Sequence, residues 1–240
     1  MTNSKLTQWL EDDDYFSKLA VFSLGPLHPF AAKANESLVE LAQAKGGGVL
    51  EVGMGTGWTH RYLSSNHISV FSIEKNGFMV DAALRNGADP NRIAHQSIED
   101  WVSEASNQSF GTVCFQAVLG FTQRPLEILN LCLEKSGAQA VHIVDWHPES
   151  KRDLSAHIRP SALSEILSVL ENHGLTFVHV ETRDYVSHSE ELSMREAVER
   201  VLVHFPEARE WNCDERIVER ARDLVDTGIP KRAFVINAYR

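Results

Sequence analysis

The sequence is poor in the features that mark secreted, membrane-spanning and metal-binding proteins. It has only three cysteines in 240 residues, and no two of them are closely spaced. Such a set predicts neither a disulfide framework nor a zinc motif. No apolar run approaches the roughly 20 residues that a membrane span needs, and the polar, acidic amino-terminus lacks a signal-peptide core. We therefore expect a cytoplasmic protein without a metal centre or a membrane partner.

The chain also lacks a block of basic residues. It carries 23 Lys and Arg against 33 Asp and Glu, which gives a formal net charge of −10. Because nucleic-acid-binding proteins cluster basic side chains against the phosphates, this charge argues against a nucleic-acid partner. The hydrophobic share of 43% is that of an ordinary globular protein. We expect a small-molecule substrate and a chain that acts as a monomer or a homodimer.

Short apolar runs and helix-like segments alternate along the chain. Five runs lie between residues 48 and 146: VLEVGM, ISVFSIE, RIAHQS, TVCFQAVLG and AVHIVDW. Two more, LTFVHVETRDY and RAFVINAYR, follow later. This alternation predicts βαβ units. We expect an α/β fold with a doubly wound, mostly parallel, seven-stranded sheet.

Two helix-forming stretches lie outside this alternation. Residues 1–45 precede the first run and include a helix expected over about residues 31–44. Residues 187–228 separate the last two runs. We interpret both stretches as helical lids, the first as an amino-terminal segment and the second as an insertion in an α/β domain of residues 46–240.

The first run carries a glycine-rich motif, E-x-G-x-G-x-G, formed by Glu51, Gly53, Gly55 and Gly57. Gly53 can take a backbone conformation that other residues resist, and glycines without Cβ atoms let a ligand lie against the main chain. The helix that follows points its free N–H groups at that ligand, which suits an anionic or carboxylate group. The spacing differs from the dinucleotide motif G-x-G-x-x-G and from the P-loop. A turn without a ligand is the alternative.

The motif resembles motif I of the class I S-adenosylmethionine (SAM) dependent methyltransferases, and the resemblance extends over about residues 46–146. It implies a SAM cofactor, with Glu51 holding the methionine amino group through water. Glu74 ends the second run, where the family places an acid that accepts both ribose hydroxyls. Ser97 and Ile98 stand where the family reads the adenine. Since many relatives have Asp in place of Ser97, the neighbouring acids Glu99 and Asp100 are alternatives to it.

Gln116 ends the fourth run, where the resemblance implies a place beside the methionine end or the acceptor; a surface position is the alternative. The expected cofactor-binding residues are Glu51, Gly53, Gly55, Thr56, Gly57, Glu74, Lys75, Ser97, Ile98 and Gln116.

The acceptor pocket is expected above the carboxyl ends of the fourth and fifth strands, under the lids. His147 follows the fifth run and is the first candidate for a general base, because histidine titrates near neutral pH; a simple turn before Pro148 is the alternative. Asp145 is expected to orient a substrate amine or to cap the next helix. Further candidates are Tyr185 for catalysis and Tyr15, His28 and Trp211 for the substrate.

We expect a SAM-dependent methyltransferase that acts on a small metabolite. The fourth run reads Phe115-Gln116-Ala117-Val118 and lacks the N/D-P-P-Y/F sequence of many amino-directed nucleic-acid methyltransferases. Two alternatives stay open. One is a SAM lyase or cyclase that releases methylthioadenosine, as in azetidine-2-carboxylate formation. The other is a SAM-binding protein without catalytic activity.

Overall fold

A computed structural model describes residues 29–104, 109–147, 161–187 and 229–240. The helices of these ranges are α1 (Pro29–Lys45), α2 (Trp58–Ser65), α3 (Gly77–Arg85), α4 (Ile98–Glu104), α5 (Pro125–Ser136) and α6 (Leu163–Asn172). The strands are β1 (Val49–Val52), β2 (Val70–Glu74), β3 (Ile93–His95), β4 (Thr112–Gln116), β5 (Ala140–Trp146), β6 (Phe177–Ser187) and β7 (Ile229–Tyr239). Short 3₁₀ turns cover Pro90–Arg92 and Leu119–Phe121.

The seven strands form one sheet in the order β3-β2-β1-β4-β5-β7-β6. β1 to β5 are parallel, and β7 runs antiparallel to both of its neighbours. Each of the seven apolar runs covers all or most of one of these strands, so the predicted fold class is confirmed. The last pair of β6 and β7 joins Ser187 to Ile229, which places the predicted insertion between these two strands. The residues of the insertion, 188–228, lie outside the described ranges.

One face of the sheet carries only apolar side chains in its centre. Leu50, Phe115 and Ile143 come from three neighbouring strands and pack in one cluster with Phe234 of β7. α4, α5 and α6 cover this cluster with side chains such as Leu129, Cys132, Ile166 and Leu170. Alternate residues of a strand point to opposite faces, so the odd-numbered residues of β4 and β5 build this face.

α1 and α2 cover the opposite face. Leu38 of α1 and Leu63 of α2 are both fully buried, and they pack on Val49, Val70 and Cys114. The helix expected over residues 31–44 is therefore confirmed as α1, but its position differs from the predicted lid. α1 is a buried layer of the α/β domain, and a domain boundary at residue 46 would cut it from the sheet on which it packs.

This second face carries a row of polar side chains across its middle. The row is set by the strand register, in which each residue pairs with the next: Ser72, Glu51, Cys114, His142 and Asn237. Because buried polar groups are costly unless they are hydrogen-bonded, the row needs partners within the protein. Those partners lie at the carboxyl end of the parallel strands, where the glycine motif also lies.

Candidate functional site

Two of the three motif glycines are required by the packing of the protein itself. Gly53 has φ +72°, and a Cβ at this position would collide with the side chain of Val118 after β4. Gly57 has φ +76°, and a Cβ there would come within 2.8 Å of Ala83 on α3. Gly57 therefore brings α2 against α3, and its expected role of lining a ligand stays a prediction.

Gly55 is the motif glycine that borders open space. A Cβ built on it would meet no atom within 4 Å. Its N–H donates a 2.9 Å hydrogen bond to Oε2 of Glu74, so the loop after β1 is tied to the end of β2. An open backbone beside a carboxylate is the arrangement that the resemblance implies for the ribose of SAM.

Glu74 keeps acceptor capacity for a ligand. Its Oε2 accepts from Gly55 N, and its Oε1 accepts a 2.9 Å hydrogen bond from Asn76 N. The backbone N–H of Lys75 is a third donor to this carboxyl group. A carboxylate offers about four acceptor positions, so one remains for a ribose hydroxyl. Burial raises the pKa of Glu74, and the backbone N–H groups of Asn76, Gly55 and Lys75, together with the charge of Lys75, act against that rise. Lys75 beside it is exposed.

Glu51 is buried in a chain of polar groups behind the glycine loop. Ser72 Oγ on β2 is hydrogen-bonded to Glu51 Oε2 and lies 2.7 Å from His60 Nδ1 on α2. Burial raises the pKa of Glu51 to about 8 and lowers that of His60. Glu51 is 3% exposed. Thr56, also expected at the cofactor, is buried, and its carbonyl accepts from Asn86.

Ser97 is engaged in ending the loop before α4. Its hydroxyl accepts a 3.0 Å hydrogen bond from Asp100 N and donates to Asp100 Oδ2 over 2.6 Å. This is the pattern of a helix N-cap. Ile98 is the first residue of α4 and packs on the apolar cluster. Ser97 therefore positions the start of α4 at the predicted adenine site. Asp100 is hydrogen-bonded to the Ser97 hydroxyl through both its backbone N–H and its carboxylate.

Gln116 lies inside a polar network under α1 and not on the outer surface. Its Oε1 accepts a 2.7 Å hydrogen bond from Thr59, and its Nε2 donates to Asn35 Oδ1 on α1. The same nitrogen lies 3.4 Å from His142 Nε2, and His142 Nδ1 lies 2.7 Å from Asn237 Oδ1. Four elements therefore fix the orientation of the Gln116 amide at the end of β4.

Three of the residues expected at the acceptor lie on or directly after strands of the sheet. Asp145 is buried on the apolar side of β5, and its Oδ2 accepts a 3.0 Å hydrogen bond from Gly120 N in the 3₁₀ turn after β4. That contact anchors the turn, which differs from the expected role in orienting a substrate or capping the next helix. His147 follows β5 and is half-buried at the carboxyl end of the sheet. The backbone of Tyr185 pairs with Lys231 in the sheet. The candidates Tyr15, His28 and Trp211 lie outside the described residues.

Sequence reasoning missed the polar residues that support the predicted ones. They are Asn35, Thr59, His60, Ser72, His142 and Asn237. A signal was present, since a serine, a histidine and an asparagine each stand inside an otherwise apolar run. The partners of each became identifiable only with the strand order and register.

No helix of the described ranges is long and apolar enough to cross a membrane. No group of three or more His, Cys, Asp or Glu side chains is placed to hold a metal ion in these ranges.

Residues 50–134 match the model of a family described as a methyltransferase domain. This match begins in β1 and ends within α5, so it contains the glycine loop, Glu74, Ser97 and Gln116. The sequence matches none of the curated proteins with which it was compared.

Several solved structures share the fold at low sequence identity. YcgJ from Bacillus subtilis is 16% identical with a TM-score of 0.61, over 87% of this chain and 98% of its own. A SAM-dependent methyltransferase from Archaeoglobus fulgidus is 17% identical with a TM-score of 0.52, over 85% of this chain and 94% of its own. The [4+2]-cyclase SpnF is 15% identical with a TM-score of 0.55, over 87% and 81%. At such identities the likeness establishes the fold, which hosts more than one chemistry.

Proposed function

We propose that the chain is a SAM-dependent methyltransferase of the class I superfamily and that it transfers the methyl group to a small organic molecule. The match of residues 50–134 to a methyltransferase domain supports the first part of this proposal. The observation that carries this proposal is the fixed position of Gln116 at the end of β4. Gln116 stands there under α1, held by Asn35 and Thr59, where a polymer-modifying enzyme would need an open, basic groove. The net charge of −10 supports the same substrate class.

The described residues fit SAM at the glycine loop. Gly55 leaves space that a side chain would fill, and Glu74 retains an acceptor position beside it. SAM supplies a methyl group already activated by a sulfonium cation. What remains for the protein is to bind and orient the two reactants and to exclude water.

Each described residue then has a defined task in that arrangement. Glu74 accepts the ribose hydroxyls, and the fixed amide of Gln116 sets one wall of the space above β4. His147 follows the neighbouring strand β5 and is our candidate to take a proton from a hydroxyl or ammonium acceptor. Asp145 acts indirectly, since it anchors the turn that follows β4 through Gly120.

The experiment that tests this function follows a labelled methyl group. The purified chain is incubated with SAM that carries a tritiated methyl group, first alone and then with a cell extract of metabolites, proteins and nucleic acids. We expect S-adenosylhomocysteine and label in the low-molecular-weight fraction only when extract is present. Label that precipitates with protein or nucleic acid would overturn the substrate class. Methylthioadenosine formed from SAM alone would instead establish the lyase or cyclase alternative, and bound but unconsumed SAM would favour a non-catalytic role.

A pair of glycine variants controls for the cofactor site. Gly55 and Gly137 have similar positive φ values, +55° and +59°, and a Cβ on either would meet no atom within 4 Å. Gly55→Ala and Gly137→Ala should therefore cost similar backbone strain, about 1 kcal/mol. Only Gly55→Ala should weaken SAM binding and slow the labelling, because Gly137 follows α5 and is not part of the glycine loop. Equal loss in both variants would mean that the loop does not hold the cofactor.

A further inference from the structure

Glu51 is a buried acid whose described partners do not neutralise it. No lysine or arginine of the described ranges lies within salt-bridge distance of its carboxyl group, and His60 Nδ1 stands 4.0 Å from Oε2. The side chains that face it are His60 on α2, Ser72 and Glu74 on β2, and Cys114 on β4, while α1 contributes apolar residues. A buried carboxylate without a countercharge is unfavourable, so the group is protonated near neutral pH in the absence of ligand.

The second feature is the continuity of the hydrogen-bonded chain behind Glu51. Ser72 Oγ touches both Glu51 Oε2 and His60 Nδ1, so one hydroxyl joins the acid to the imidazole. The far nitrogen of that imidazole, His60 Nε2, is buried and has no hydrogen-bond partner among the residues described. An orphaned ring nitrogen is expected where the proton position changes between two states.

We propose that Ser72 and His60 form a proton relay that deprotonates Glu51 when the cationic cofactor binds. This inference depends on SAM binding at the glycine loop, and it does not depend on which acceptor is methylated. Ser72 and His60 are positioning residues in this scheme, because they touch Glu51 and not the reacting atoms.

The relay has two states that differ by one proton. Without ligand, Glu51 Oε2–H donates to Ser72 Oγ, the Ser72 hydroxyl donates to His60 Nδ1, and His60 Nε2 carries the hydrogen. When Glu51 is deprotonated, the proton on His60 Nε2 leaves to water, the Ser72 proton passes to His60 Nδ1, and the Glu51 proton passes to Ser72 Oγ. Glu51 ends as a carboxylate that accepts from Ser72, and His60 ends neutral in its other tautomer. One proton leaves the protein, and its positive charge is replaced by the charge of the cofactor.

The surroundings of His60 favour the arrival of a proton on its ring. The nearby Asp89 carboxylate acts to raise the pKa of His60, although burial outweighs it and the net pKa is lowered. Asp89 is itself exposed, so the attraction for a proton at His60 comes from the solvent side. The relay thereby removes a proton from Glu51 although the acid is almost completely buried.

Two measurements on the full chain test the relay without relying on turnover. Titration calorimetry of SAM in phosphate and in Tris buffer reports the protons released, and we expect close to one per SAM near neutral pH. ¹⁵N NMR of histidine-labelled protein reports the tautomer of His60, which should change from Nε2–H to Nδ1–H on binding. The exposed His67 and His95 serve as internal references. Binding heats that do not depend on the buffer, or an unchanged His60 tautomer, would overturn the proposal.

Ser72→Ala removes the central hydroxyl and should abolish the tautomer change. Ser65→Ala removes an exposed hydroxyl of the same helix as His60 and should leave the change intact. A Ser72→Ala protein that still switches tautomer on binding SAM would refute the relay.

A measurement without ligand covers the case in which Ser72→Ala fails to fold. Burial raises the pKa of Glu51 to about 8, so raising the pH of the wild-type protein through this value should drive the same tautomer change. A constant tautomer over that range would contradict the relay. If wild-type protein binds SAM and shows the switch but labels no small molecule, the acceptor class is wrong and the relay stands.

Discussion

The face of the sheet under α4, α5 and α6 and the face under α1 and α2 are built from the same strands but from different kinds of side chain. The first buries Leu50, Phe115 and Ile143 among other apolar residues. The second interrupts its apolar packing with the polar row that runs from Ser72 to Asn237. Both faces are buried, so the difference is not one of exposure to solvent.

This difference shows that the polar groups of the candidate site belong to one face of the sheet. An apolar face gains free energy from burial and close packing and is indifferent to pH. A polar row gains little net stability, because each hydrogen bond replaces one with water. Its hydrogen bonds instead fix the orientation of side chains. The amide of Gln116 and the carboxyl group of Glu51 are each held in one orientation by their hydrogen-bond partners. Both are residues that the resemblance assigns to the cofactor site.

The largest effect is expected from removing a ring on the apolar face. Phe115→Ala should lower the free energy of unfolding by about 3–5 kcal/mol, because the cavity adds to the lost burial. The adjacent Cys114 is equally buried but points to the polar face. Cys114→Ala should cost only about 1 kcal/mol, since little more than one sulfur atom is lost. Urea unfolding of both variants at several pH values measures this, and neither loss should depend on pH.

Similar losses in the two variants would mean that the faces contribute equally. A loss in Phe115→Ala that varies strongly with pH would mean that the apolar face is coupled to the titrating groups on the other side.

The next effect is expected from His142, which holds the centre of the polar row. His142→Leu should cost about 1–3 kcal/mol near neutral pH, because Asn237 and Gln116 each lose a buried partner. Burial lowers the pKa of His142 to about 4, so the folded state takes up its proton later than the unfolded chain does. Stability from this source is present above about pH 6.5, the unfolded value, and is lost as the pH falls toward 4.

Comparing wild-type and His142→Leu stabilities between pH 7 and pH 4 measures that contribution. The variant should lose less stability than the wild type on acidification. The slope should not vanish, because the pKa of His60 is lowered for the same reason. A control is His142→Leu combined with Asn237→Leu, which removes both partners of one bond and should recover part of the loss. An unchanged acid slope in His142→Leu would show that other groups govern acid unfolding.

The same contrast explains how much of the molecule the sequence predicts. The strands and the glycine loop are local patterns, so seven apolar runs and one spaced motif were sufficient to predict the sheet and the place of Glu74. Gln116 was predicted at the site, but its partners Asn35 and His142 are 81 and 26 residues away along the chain. Such partners depend on the strand order and on the position of α1, which no local pattern encodes. The packing of Gly57 against Ala83 is also a long-range property, so the spaced motif predicts a ligand contact for Gly57 but not this second role.

The smallest effect is expected at Ala117, where the two faces meet at the end of β4. Phe115 and Gln116 point to opposite faces, and the chain then turns through Ala117, which has φ +54° although it is not glycine. Its N–H donates a 2.7 Å hydrogen bond to Val144 O, and this contact holds the strained residue in place. A left-handed alanine costs about 1–2 kcal/mol, and a glycine loses about 0.5–1 kcal/mol more chain entropy on folding. Ala117→Gly should therefore raise the free energy of unfolding by up to about 1 kcal/mol, as measured by urea unfolding.

Because the hydrogen bond to Val144 is made by the backbone, it survives the change, and SAM affinity should remain within about twofold of wild type. A destabilised Ala117→Gly protein would show that the Ala117 methyl group packs usefully at this point, and that the polar and apolar faces are joined there by a side chain and not by the backbone alone.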